Sequence, residues 1–127
     1  MSEAGHYPYQ VGIDAYGNGG FRFAEMSHRG SLLCLPTGMH AWGVVGPGEL
    51  NLETLATVLA LGETIDVLVL GMGEDIAAVP AAVRDALRER AIGIEIQNTG
   101  SAVRTYNVLM DEGRAVAAAL IAVDRAR

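Results

Sequence analysis

Residues 92–120, IGIEIQNTGSAVRTYNVLMDEGRAVAAAL, carry the pattern that decides the fold. Residues 92–97 alternate in polarity as a strand does. Thr99 or Ser101 then caps a helix to about Glu112, with Ala102, Val103, Tyr106, Leu109 and Met110 recurring on one stripe. Gly113 supplies a left-handed stop, and residues 114–123 return as an apolar strand. Strand, helix and strand follow with almost no connecting loop, and such a crossover is right-handed.

Working upstream, Pro80 sits where a first-turn proline is tolerated and opens a helix to about Arg90. Val83, Ala86, Leu87 and Ile92 mark its inner side; Arg84, Asp85, Arg88 and Glu89 mark its outer one. Residues 64–70 have the β-branched and leucine-rich composition of a strand buried on both faces. Asn51 is a good N-cap for a helix over residues 52–61, closed by Gly62. Before it, Gly46-Pro47-Gly48 is a strong break. The first third is β-rich. Residues 10–16 and 20–24 flank YGNGG as a β-hairpin, residues 30–35 form a strand ended by Pro36, and residues 39–45 are extended around Trp42. His28 falls in a loop on this reading. The sum is an α/β domain with a β-rich N-terminal third and a β-α-β-α-β C-terminal half.

At 127 residues, half of them apolar and 19% charged, the chain is one globular domain over residues 11–127, behind a tail at residues 1–10 read as mobile. The net charge of −6 argues against nucleic-acid binding and against a stable hold on an anionic membrane. One cysteine, Cys34, excludes an intrachain disulfide and fits a reducing compartment. The N-terminus reads as neither a secretory signal nor a transit peptide. No apolar run reaches the roughly 20 residues a transmembrane helix needs. A cytoplasmic location is the expectation.

Two strand-to-helix loops are candidate ligand sites. GMGED (residues 71–75) offers Gly71 and Gly73 for close backbone approach, but lacks the third glycine of a dinucleotide fingerprint and the Gly-Lys-Ser/Thr of a phosphate loop. NTGS (residues 98–101) lies at a second junction. If the two strands are parallel neighbours, Gly71, Gly73, Thr99, Ser101 and Arg104 surround one cleft suited to a small anion. The plainer reading is a tight loop and a helix cap. His6, His28 and His40 share no metal-ligand spacing, so no metal is expected. Cys34 lies among leucines as a buried thiol, and no serine stands in a nucleophile elbow. No catalytic residues and no cofactor are therefore assigned. Asn107, a modest helix former in mid-helix, either bonds a neighbouring strand or loop or faces water.

The block quoted first resembles the signature of a family of small domains of unknown function, the Mth-type domain family. That family includes the mitochondrial complex I assembly factor 3 and the adipogenesis-associated Mth-type domain protein. The resemblance runs over most of residues 10–123, through LVLGMG, AIGIEI and GSLLCLPTGMHAW, and is most specific in Thr99, Ala102, Thr105, Tyr106, Asn107, Glu112, Gly113 and Arg114. Gly71-Met72-Gly73 stands where the family often has Gly-Thr-Gly. The resemblance implies a bacterial member with a three-layer α/β fold around a mixed central sheet and no established catalytic activity. For mitochondrial members it implies help in assembling complex I through protein contacts.

The leading expectation is a non-enzymatic protein-interaction domain, an assembly factor for a respiratory or membrane-associated complex. Its protein partners would be subunits of that complex, met through Arg88, Arg90 and Arg104, with homo-oligomerisation left open. The alternative is a small-molecule, anion-binding or enzymatic domain using the cleft between the loops at residues 71–75 and 98–101. A third is redox sensing through Cys34.

Overall fold

The β-rich first third splits between two sheets. In the computed structural model, which describes residues 6–125, strand β1 (His6–Tyr7) precedes a three-stranded antiparallel meander. The meander comprises β2 (Ala15–Gly17), β3 (Gly20–Phe23) and β4 (Met26–Arg29). A second hairpin, β5 (Ser31–Leu35) and β6 (Gly38–Trp42), follows it. The remainder alternates as α1 (Ala56–Ala60), β7 (Val67–Gly71), α2 (Ala81–Glu89), β8 (Gly93–Gln97), α3 (Thr99–Asp111) and β9 (Val116–Leu120).

The main sheet has the order β1-β6-β5-β9-β7-β8. β9, β7 and β8 run parallel, while β5 meets both β9 and β6 antiparallel, so the sheet is mixed. The step from β7 to β8 carries α2, and the return from β8 past β7 to β9 carries α3. Two crossovers of one hand that run in opposite directions put their helices on opposite faces. The helices do pack against different cores. Leu33, Leu35, Leu68, Leu70, Ala117 and Ala119 point toward Val58, Val83 and Leu87 of α1 and α2. Leu32, Cys34, Val67, Val69, Ala118 and Leu120 point toward Ala102, Val103 and Tyr106 of α3 and Phe21 and Phe23 of β3. Period-2 alternation in strands buried on both faces thus generates two cores and three layers.

Several expectations change. Residues 1–5 of the expected tail lie outside the described residues, but His6 and Tyr7 pair with His40 and Met39 as an edge strand. Gln10 is also tied down, its Nε2 donating to the Val116 carbonyl at 2.8 Å. His28 lies in β4, not in a loop. That strand escapes a sequence reading because the turn before it, Ala24-Glu25, adopts φ values of 50° and 62° without glycine, asparagine or aspartate. The preceding turn, Asn18-Gly19, has the same left-handed geometry with the residues that favour it, and is legible.

The helix expected over residues 52–61 shortens to Ala56–Ala60. Asn51 does bond ahead, its Oδ1 accepting from Thr54 N–H at 2.8 Å while Thr54 Oγ1 accepts from Asn51 N–H at 3.0 Å. The Trp42 indole, however, donates to the Thr54 carbonyl at 2.8 Å, and the segment turns irregularly before it becomes helical. α2 begins after Pro80 and buries Val83 and Leu87. It ends on Ala91 at φ 59°, with Ile92 N–H bonded to Leu87 O and Ala91 N–H to Arg88 O. α3 closes by the same pattern on Gly113, with Arg114 N–H bonded to Leu109 O and Gly113 N–H to Met110 O. Its N-cap is Asn98, whose side chain accepts from Ser101 N–H, and neither Thr99 nor Ser101 takes that role.

Candidate functional site

β7 and β8 are adjacent and parallel, and their following helices leave toward opposite faces. The loops at residues 71–75 and 98–101 therefore flank a topological switch point, where open α/β sheets bind ligands. Gly71, Gly73 and Thr99 converge there as the sequence suggests. What fills the crevice is the chain itself. Thr99, 0% exposed, donates from Oγ1 to the Ile121 carbonyl at 2.6 Å and accepts from Gly73 N–H at 3.0 Å. Its own N–H donates to the Gly73 carbonyl at 2.9 Å. A Cβ at Gly71 would stand 3.1 Å from Thr99 Cα, 3.0 Å from Leu120 and 3.2 Å from Ala102 Cβ, so the glycine lets α3 lie directly on β7.

An anion at this helix start would need free amides. Ser101 N–H is bonded to Asn98 Oδ1 at 2.9 Å and Ala102 N–H to the Asn98 carbonyl at 2.9 Å, so with Thr99 three of the first four amides are engaged. The remaining space beside Gly73, Asn98 and Gly100 is about 10 Å³, room for one water at most. A broader open groove of about 440 Å³ on the outer side of these loops carries Glu74, Asp75 and Asp124, which repel anions. Ser101 is half-buried and Arg104 exposed, their side chains 3.4 Å apart.

The next turns of α3 are spent in the same way. Tyr106, 0% exposed, donates its hydroxyl to the Val11 carbonyl at 2.7 Å. Asn107 bonds a neighbouring segment and not water: Oδ1 accepts from Ile13 N–H at 2.9 Å and Nδ2 donates to the Ile13 carbonyl at 2.8 Å. The pair copies a strand-like exchange and holds residues 11–13 against the helix. Burial pushes the Cys34 thiol well above its ordinary range, outweighing an opposing hydrogen bond with Tyr106. The same burial, reinforced by Cys34, pushes the Tyr106 hydroxyl up. A protonated, 0% exposed thiol is neither a nucleophile nor an accessible redox group.

His28 and His40 also serve local bonds. His28 Nε2 meets the Ser31 carbonyl at 2.9 Å, and His40 Nε2 meets Thr37 Oγ1 at 2.9 Å. Among the expected contact arginines, Arg88 forms an exposed pair with Asp85 at 3.4 Å. Arg90 donates to the carbonyls of Leu59 at 3.2 Å and Ala86 at 3.0 Å, stitching α1 to α2. Arg88 and Arg90 lie on the α1/α2 side and Arg104 on α3, so the three do not form one patch. A sequence reading misses a concavity of about 420 Å³ on the small sheet, lined by Arg22, Ser27 and Arg29.

The chain is similar to several known proteins. Residues 13–121 match the family described as protein of unknown function (DUF498/DUF598). An uncharacterised Rhodobacter capsulatus protein is 40% identical over 86% of this chain and 82% of that protein. The mouse NADH dehydrogenase [ubiquinone] 1 alpha subcomplex assembly factor 3 is 32% identical over 91% of this chain; the match spans only 62% of that longer protein. A crystal structure described as an outer membrane protein from Bartonella henselae is 47% identical, with a TM-score of 0.89, over 93% of this chain and 99% of that one. A solution structure from Bordetella pertussis described as a Mth938-like domain is 25% identical, with a TM-score of 0.76, over 99% of this chain and 90% of that one. Among the described residues no helix is long and apolar enough to cross a membrane. The polar signature of α3, the mixed sheet and these matches converge: the chain belongs to the family of proteins of unknown function DUF498/DUF598.

Proposed function

We propose that this chain is a non-enzymatic protein-interaction domain that acts in the cytoplasm as an assembly factor for a respiratory or membrane-associated complex. The observation that carries this reading is the filled switch point. The crevice where an α/β enzyme would bind substrate is closed by Thr99, Gly71 and Ala102, and three of the first four helix-start amides are already bonded. Function then rests on the outer surface. Kinship with the mouse assembly factor supports the proposed class of partner, the subunits of a NADH dehydrogenase-type complex. Arg88 and Arg104, exposed and lightly bonded, are the proposed contacts; Arg90 adds whatever its guanidinium retains beyond two backbone carbonyls. Exposed Val45 and Ile76, on loops at the same end of the sheet, offer apolar contact area.

Deleting the gene in its host and resolving membrane complexes on native gels tests the reading. The expected result is less fully assembled NADH dehydrogenase and an accumulated subcomplex, restored by the wild-type chain. Restoration should fail with an Arg88→Glu, Arg104→Glu double variant of unchanged melting temperature. Normal assembly in the deletion strain would refute the proposal.

A further inference from the structure

The three-stranded sheet buries one face and leaves the other unexplained. Phe21 and Phe23 of β3 point into the core, so Gly20 and Arg22 belong to the opposite face. Cross-strand partners share a face, and the register gives two rows there: Ala15, Arg22 and Ser27, then Gly17, Gly20 and Arg29. Small residues therefore make the middle of the face a trough and two arginines rise from it on a diagonal. Gly20 cannot be anything larger, since a Cβ there would collide with the His28 carbonyl. The concavity holds about 420 Å³, within the usual range for a small-molecule site.

Its electrostatics are unlike the rest of the molecule. The chain carries 15 acidic and 9 basic side chains, yet the lining holds Arg22 and Arg29 and no carboxylate; His28, the cross-strand partner of Phe21, turns its ring to the core side. Arg22 bonds only a neutral group, Ser27 Oγ at 3.2 Å. The Arg29 guanidinium has no side-chain partner among the described residues. Like charges on a cross-strand diagonal repel, and an anion between them would reverse that cost. A guanidinium fork fits two oxygens of one oxyanion, and two forks fit a dianion from both sides. Ser27 supplies a hydroxyl beside them. The floor is ordered as well, because Asn18 and Gly19 N–H groups are bonded to the Asp124 and Val123 carbonyls at 2.8 and 2.9 Å.

We infer that the outer face of β2, β3 and β4 is a binding site for a small dianionic ligand, held through its oxyanion group by Arg22 and Arg29 over the Gly17–Gly20 floor. A phosphate monoester and a dicarboxylate share that chemistry. The site lies apart from the β7/β8 switch point and does not depend on the assembly-factor reading.

Isotope-labelled protein titrated separately with inorganic phosphate and with succinate, followed by amide and arginine Nε–H shifts, tests the inference. The expected result is saturable shifts confined to Gly17, Gly20, Arg22, Ser27 and Arg29. Affinity should fall about tenfold in Arg22→Gln or Arg29→Gln, vanish in the double variant, and stay unchanged in Arg104→Gln. Saturation by phosphate alone assigns a phosphate ester, and by succinate alone a dicarboxylate; either supports the site. Non-saturating shifts, shifts centred elsewhere, or binding that survives Arg29→Gln undiminished would overturn it. Arg29→Gln removes no bond within the chain, so that arm stays informative even if the double variant unfolds.

Discussion

The two faces of the central sheet are stabilised by different physics. On the α1/α2 face, aliphatic side chains such as Leu33, Leu68, Leu70, Val83 and Leu87 pack with few polar bonds between layers, and the helices are short. On the α3 face, apolar packing is joined by directed bonds: Thr99 to Gly73 and Ile121, Tyr106 to Val11, Asn107 to Ile13, and Gln10 to Val116. Apolar contact fixes that layers meet, but not their register, since it is non-directional. Buried hydrogen bonds specify position, because each misplacement leaves an unsatisfied group. The polar residues of α3 therefore read as alignment devices for that face.

Substitutions on each side can break or sharpen this contrast. Leu68→Ala, on the α1/α2 side of the sheet, should cost about 3–4 kcal/mol by transfer and cavity terms. Denaturant unfolding checks it, and a loss below about 1 kcal/mol would mean that face is loosely packed. Thr99→Val keeps the shape but strands Gly73 N–H and the Ile121 carbonyl, which should cost about 2–3 kcal/mol. If calorimetry found it neutral, the polar bonds would not be what locks α3. Asn107→Ala should cost about 1–2 kcal/mol and speed amide exchange at Ile13, with little change on β7. The two helix stops offer an opposite-sign test: Ala91→Gly should stabilise by about 1 kcal/mol, since Ala91 holds φ 59° where α3 already uses glycine. An unchanged melting temperature for Ala91→Gly would remove that asymmetry.

The α3 face should also respond to alkali. Cys34 is ordinarily near 9.0 and is raised in the native state, so above that pH the unfolded chain loses a proton that the folded chain keeps. The contribution of this group should be flat below pH 9.0 and fall above it by up to about 1.4 kcal/mol per unit. Tyr106 steepens the fall once pH passes its ordinary 10.0. Cys34→Ala should remove the first part of the slope, as pH-dependent unfolding curves would record.

What the chain discloses unaided is set by local and periodic chemistry. Alternation in residues 92–97, the stripe through Tyr106 and the glycine stop at Gly113 define β8 and α3 to within a residue or two, because each depends on near neighbours. Ala24-Glu25 hid β4, since that turn uses residues without the φ preference that betrays a hairpin. Trp42 shortened α1 by taking the Thr54 carbonyl from twelve residues away. The candidate cleft was legible in place but not in state: Gly71, Gly73 and Thr99 meet there, yet Thr99 is turned inward by the carbonyl of Ile121, just past β9 and 22 residues on. The Arg22–Arg29 trough was not legible at all, since only strand register puts those side chains on one face. Periodicity is a property of neighbours in the chain and survives in the sequence. Partnership between distant groups is decided by packing, and exists only once the layers close.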